Sequence, residues 1–146
     1  MKRILIFFFL VLILSVLSIS TAWAQVKTRI RAIKASNVGQ TIDPALRDVY
    51  SDLGSLFNFT SYQLLRDNSF NLSPNQPVSI SPRPGILMEV TLVGQHGQVV
   101  ELVIRVVRKG KETLNAQVRL SPRRTVLIGG PKLREGVIIY AIAANF

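Results

Sequence analysis

The stretch VVELVIRVVRKGKETLNAQVRL, Val99 to Leu120, decides the fold. Its even-numbered positions are apolar on both sides of a short polar break: Val100, Leu102, Ile104 and Val106 before it, Leu114, Ala116, Val118 and Leu120 after it. A period of two marks a half-buried β-strand, so the spacing predicts strands over Val99–Arg108 and Thr113–Leu120. Lys109-Gly110-Lys111 joins them as a three-residue hairpin loop in which Gly110 is free to take a positive φ. Directly opposed residues of an antiparallel pair share a face, which restricts the possible registers. The one that sets Glu101 against Arg119 and Arg108 against Glu112 satisfies charge and burial together. Surface ion pairs contribute only about 0–1 kcal/mol each, so burial of the even face must set the pairing.

The strand before this hairpin is expected at Ile86–Val93, turning through Gly94-Gln95-His96-Gly97. A register with Met88 opposite Ile104 and Val90 opposite Leu102 buries the apolar face, whereas the alternative opposes Glu89 to Glu101. The three strands then form a meander whose apolar face needs a cover. Val137, Ile139, Ala141 and Ala143, an amphipathic helix and the Tyr62/Leu64 segment are expected to supply it. Further strands are expected at Val26–Ala35, Ser61–Arg66, Phe70–Leu72, Val78–Ser81, Thr125–Ile128 and Val137–Ala143, broken by proline, glycine and asparagine at roughly ten-residue intervals. Pro74, Pro77, Pro82 and Pro84 restrict Val78–Ser81 to a sheet edge.

One helix interrupts this rhythm. Asp43-Pro44 supplies a capping carboxylate and a proline at the first helical position. Leu46, Val49, Tyr50, Leu53 and Phe57 then recur at the spacing of a single apolar helix face, which predicts about three turns ending near Asn58. Together these elements predict a mainly β domain, a small antiparallel β-sandwich or partly open barrel with one N-terminal α-helix.

The first 24 of the 146 residues read differently. Lys2 and Arg3 precede an almost unbroken apolar run from Ile4 to Leu17, and Ala22-Trp23-Ala24 supplies a small–x–small cleavage word. This is the layout of an export signal, with the mature chain starting at Gln25 and forming a single domain over residues 25–146. The run is shorter than the roughly 20 apolar residues that a membrane-spanning helix needs. The expected destination is the periplasm or the exterior, with no transmembrane segment left after cleavage.

The whole chain holds 18 Lys and Arg against 8 Asp and Glu, a net charge of +10; removal of Lys2 and Arg3 leaves the mature part at +8. Cysteine is absent, which excludes disulfides, thiolate metal sites and a cysteine nucleophile. The single histidine, His96, stands between glycines in a turn, with no nucleophile arranged near it in sequence. No phosphate-binding glycine loop, nucleophile elbow or paired-histidine metal motif occurs, and no cofactor is expected. Asp43, Asp48 and Asp52 fall on the expected helix, where solvation near the N-terminal dipole explains them better than calcium or acid–base chemistry does. Ile128-Gly129-Gly130-Pro131 reads as a tight turn, with an anion cradle as the sharper alternative.

Charge is the functional signal that survives. Lys27, Arg29, Arg31 and Lys34 place four cations in eight residues with no acid among them, and Arg119, Arg123, Arg124, Lys132 and Arg134 form a second basic stretch. If these meet in space, they would attract phosphate- or sulfate-rich polymers, anionic lipid or acidic proteins. Nucleic acid is the weaker partner, because no aromatic side chains are interleaved with the cations.

The words Ile42-Asp43-Pro44-x-Leu46, Leu56-Phe57-x-Phe59-x-Ser61-Tyr62-x-Leu64-Leu65 and Ile128-Gly129-Gly130-Pro131, with the apolar end from Gly136 to Ile142, span most of the mature chain. In these it resembles a family of uncharacterised exported bacterial proteins that share the helix–strand opening and glycine-rich ending. The resemblance carries no known activity. The leading expectation is therefore a non-enzymatic exported β-domain that binds an envelope protein as an assembly or accessory component. The alternative is a polyanion-binding module for cell-surface glycan, lipopolysaccharide or anionic membrane.

Overall fold

The computed structural model describes residues 2–4 and 25–146. Apart from Ile4, the apolar run and the cleavage word lie outside the described residues. Eight strands follow: β1 Val26–Ser36, β2 Ser61–Leu72, β3 Val78–Arg83, β4 Ile86–His96, β5 Val99–Arg108, β6 Lys111–Leu120, β7 Thr125–Leu133 and β8 Gly136–Asn145. They form two antiparallel four-stranded sheets, ordered β2-β1-β8-β7 and β3-β4-β5-β6. The chain is an open β-sandwich, not a barrel.

The meander β4-β5-β6 forms as its alternation demands, but two registers differ from the sequence expectation. Between β4 and β5, Met88 faces Val106, Val90 faces Ile104 and Glu89 faces Arg105. The strand runs on through His96, so the hairpin closes on the two residues Gly97 and Gln98, with Gly97 at φ 61°. A register shift between Leu92 and Gly94 absorbs the surplus residue. This pairing keeps the even-numbered apolar side chains of both strands inside, leaves Leu87 and Val93 on the outer face, and also sets Glu89 against the opposite charge of Arg105. Between β5 and β6, Glu101 faces Arg119 as expected, but Arg108 faces Lys111 and not Glu112. Lys109 and Gly110 both have positive φ, 50° and 78°, the two-residue turn whose twist matches the strands it joins. The register slips between Val106 and Val107, and Glu112 pairs through its side chain with Arg105 (2.5 Å).

The cover of the meander is the other face of β8. Residues 137–144 are apolar without interruption, as a central strand buried on both sides requires. Ile138, Tyr140, Ile142 and Ala144 point into the space between the sheets, with Val26, Ile30 and Ala32 of β1. Ile139 and Ala141 face the opposite way and form a second core with Ile33, Ala35, Leu46, Val49, Leu53 and Tyr62. The expected assignment of β8 faces is thus inverted: its odd positions lie under the helical segment and its even positions cover the meander.

That helical segment is broken into two pieces. Asp43 caps a single 3-10 turn, Pro44–Leu46, accepting from the Ala45 amide at 3.0 Å. After a turn, α1 covers only Tyr50–Leu56, with Val49 at φ −113° interrupting the expected continuous helix. Leu46, Val49 and Leu53 are buried as the spacing predicts, while Tyr50 is 45% exposed. The break lets the chain bend over the sheet. Just before it, Thr41–Asp43 pairs with the edge of β2: the Tyr62 amide donates to the Thr41 carbonyl, and the Asp43 amide to the Tyr62 carbonyl, both at 2.9 Å. A second Asp43 oxygen accepts from the Leu64 amide at 3.3 Å, so this stretch of sheet edge is closed.

The two expected strands Ser61–Arg66 and Phe70–Leu72 are one, with a register shift at Leu65. Ile128-Gly129-Gly130-Pro131 lies within β7, at a register shift between Gly129 and Lys132, so it is a bulge and not a turn. Neither glycine has positive φ. Gly130 is needed for space: a Cβ there would meet the Tyr140 ring at 2.6 Å and the Ile138 carbonyl at 2.9 Å.

Candidate anion-binding surfaces

The sandwich has two ends. β1 starts and β8 finishes at one of them, where the β6–β7 turn Ser121–Arg124 also lies. At the other end lie the tips of three hairpins, β3–β4, β5–β6 and β7–β8. The backbone places the two basic stretches with respect to these ends, and it divides each of them.

On β1, odd positions face out from the sandwich and even ones face in. Lys27 and Arg29 are exposed near the start of the strand. Arg31, one outward position further on, is 2% exposed because the helical segment lies over it. Its guanidinium makes a two-pronged contact with Asp48, Nη1 to Oδ1 and Nη2 to Oδ2, both at 2.8 Å. Asp48 therefore lies in the turn between the 3-10 piece and α1 and clamps that segment to the sheet. This explains its presence without metal or acid–base chemistry. The Arg31 side chain beside it holds the Asp48 carboxyl below the usual carboxylate range. Lys34 faces the other way at the far end of the strand, half-buried. Arg29 pairs with Asp67 on β2, Nε to Oδ1 at 2.9 Å and Nη2 to Oδ2 at 2.6 Å, which holds that carboxyl low as well. Two of these four cations, Arg29 and Arg31, thus meet acids that other elements supply.

The second stretch divides in the same way. Arg119 lies on the outer face of the second sheet, paired with Glu101 at 2.9 Å and far from β1. Lys132 and Arg134 belong to the hairpin-tip end. Arg123 and Arg124 occupy the turn at the terminal end, both exposed.

What the fold brings together is a mixed group. Lys27 and Arg29 from the first stretch and Arg123 from the second line one open depression of about 490 Å³, with Ser69 and Asn145 beside them. Ala143 and Ala144 complete its lining. Arg123 sits at φ 61°, its amide donating to the Ala144 carbonyl at 3.4 Å. A left-handed conformation costs a non-glycine residue about 1–2 kcal/mol. Glycine or asparagine is the cheaper residue there, yet the chain places a cation. Lys27 and Arg123 take part in no ion pair among the described residues.

The remaining candidate chemistry is sparse. His96 is exposed at the end of β4. No group of three or more His, Cys, Asp or Glu side chains lies together among the described residues, and no described helix is long and apolar enough to cross a membrane. Comparison with protein-family models, with curated proteins and with solved structures finds no match to this chain.

Sequence reasoning missed Ser69 and Asn145, which carry no motif. It also missed Arg83, Arg108, Lys109 and Lys111, which flank hairpin turns and do not form one run. The signal that finds them is the hairpin register, since each register predicts which turns share an end.

Proposed function

We propose that this chain is a non-enzymatic exported binding domain that takes anionic groups of a polymer, phosphate or sulfate esters on a glycan, in the depression at the terminal end. The observation that carries this reading is the convergence of Lys27, Arg29 and Arg123 around open space with two neutral hydrogen-bonding side chains. Arg29 is held in place by Asp67, so it presents its remaining donors from a fixed position. Lys27 and Arg123 supply charge not already neutralised by a neighbour. Ser69 and Asn145 suit the hydroxyl groups between charges on a sugar chain. An anion here releases its counterions on binding, so affinity falls as salt rises.

The test is titration of the chain from Gln25 with a sulfated polysaccharide across a range of salt concentrations. Steeply salt-dependent binding, weakened at least tenfold in Lys27→Gln/Arg123→Gln, is the expected result. Binding that ignores both salt and these substitutions would sink the proposal.

A second reading, docking on an envelope protein, is favoured by a different observation. Ile42 and Tyr50, 37% and 45% exposed, line a shallow hollow with Pro44 and Arg47 at the 3-10 turn, and Leu56 nearby on α1 is 65% exposed. Salt-insensitive capture of one defined protein, lost on Tyr50→Ser/Leu56→Ser, is the result expected from that reading.

A further inference from the structure

We propose that the hairpin-tip end of the sandwich is a second anion-binding surface, and that it docks on a lipid bilayer bearing anionic headgroups. Arg83 leads into the β3–β4 turn, Lys109 and Lys111 flank Gly110 in the β5–β6 turn, and Lys132 and Arg134 stand at the β7–β8 turn. All five are exposed, and none takes part in an ion pair among the described residues. The tips are tied side by side: the Lys109 amide donates to the Gly85 carbonyl at 2.8 Å, and the Arg108 guanidinium donates to the Lys132 carbonyl. Of the nearby acids, Glu112 is engaged by Arg105, which leaves Glu135 as the exposed counter-charge in the β7–β8 turn.

The shape of this end argues for a surface. Cations on projecting turns reach outward on flexible stems, which suits a flat array of charge more than a single buried group. Pro84 and Leu87, both exposed beside the tips, add apolar contact at the level of the headgroups. Lys109 is held at φ 50° next to Gly110, a second turn position where the chain carries a cation in a conformation that favours glycine. The chain enters at the opposite end: β1 is eleven residues long, about 35 Å at the usual rise per residue, so Gln25 leaves the tips unobstructed. The inference uses other residues than the depression and stands or falls separately from it.

The experiment is co-sedimentation with vesicles. The chain from Gln25 holds every strand and both cores, and it is mixed with vesicles of phosphatidylcholine alone or of phosphatidylcholine and phosphatidylglycerol in equal parts. Binding to the anionic vesicles only is expected. Arg83→Gln/Lys111→Gln/Lys132→Gln removes three exposed cations and leaves Lys109 untouched, so the turn keeps its geometry. The expected loss is on the order of a hundredfold, since each surface cation contributes roughly fivefold to affinity for an anionic membrane. Lys27→Gln/Arg123→Gln is expected to bind the vesicles as tightly as the unaltered chain, and thermal melting checks that each variant is folded. Three results would overturn the inference: vesicle binding unchanged in the triple variant, no binding to anionic vesicles at all, or tip-dependent binding of soluble polyphosphate without binding to vesicles.

Discussion

Arg31 is where sequence and structure give the most different account of one residue. In sequence it is one of four neighbouring cations on a strand; in the fold it is buried and paired, and it has no part in an exposed patch. Nothing in Val26–Ser36 reveals this, because the acid that neutralises it arrives from a turn 17 residues away. Removing Asp48 orphans a buried guanidinium, which destabilises by about 3 kcal/mol, the lower end of the usual range because Asp48 itself is largely solvated. Asp48→Ala should therefore lower the denaturant midpoint markedly, while Arg31→Met/Asp48→Ala should recover part of the loss. The same pair sets a pH dependence. Asp48 and Asp67 both titrate below their ordinary value in the folded protein, so their contribution is complete above the unfolded carboxylate pKa of about 3.9. It is lost as pH falls through the lower folded values. Thermal melts should be flat from neutral pH to about 5, then fall towards pH 3, and the fall should be shallower in Asp67→Asn.

Tyr140 makes a second residue-scale prediction. Its hydroxyl is buried between the sheets without a hydrogen-bond partner among the described residues, and burial pushes its pKa well above the usual phenol value. An unpartnered buried hydroxyl costs about 1–3 kcal/mol, so Tyr140→Phe should raise stability by about 1 kcal/mol in chemical denaturation. A loss instead would show that the hydroxyl has found a partner. Gly130→Ala, which drives a methyl into the same ring, should have the opposite sign.

At the scale of elements, every strand expected from alternation and turn residues is present, some extended or merged. The errors lie at boundaries and registers. Alternation identifies which face of a strand is apolar, but in β8 both faces are, so parity alone does not say which one meets the meander. Charge pairing was a sound guide at Glu101 and Arg119, where the strand is regular, and failed at Arg108, where a two-residue turn and a bulge intervene. The helix shows a comparable limit. Leu46, Val49 and Leu53 keep a helical spacing across a break at Val49, because both pieces bury side chains against the same sheet. The helical segment should be separable from the sandwich. Leu53→Ala removes a fully buried side chain from the second core and should cost about 2–5 kcal/mol locally. Hydrogen exchange should accelerate over residues 41–57 while amides of β5 and β8 stay protected. Equal acceleration everywhere would show that the two cores unfold as one.

For the whole molecule, the basic stretches of the sequence are not the basic surfaces of the protein. Antiparallel strands carry neighbouring cations away from one another and bring distant ones together at the ends of the sheets. Lys27 joins Arg123 across nearly a hundred residues, and Arg83 joins Lys111 and Lys132. Which residues are charged was legible in the sequence; which of them act together required the strand order, which short-range patterns do not determine. The depression at the terminal end is one such group, with Lys27, Arg29 and Arg123 around open space. The most direct measurement is a nuclear magnetic resonance titration of the chain from Gln25 with a small sulfated oligosaccharide, following backbone amides. The account predicts saturable shifts confined to residues around Lys27, Ser69, Arg123 and Asn145, absent in Lys27→Gln/Arg123→Gln. Shifts spread evenly along Lys27 to Lys34, or none at any concentration, would contradict it.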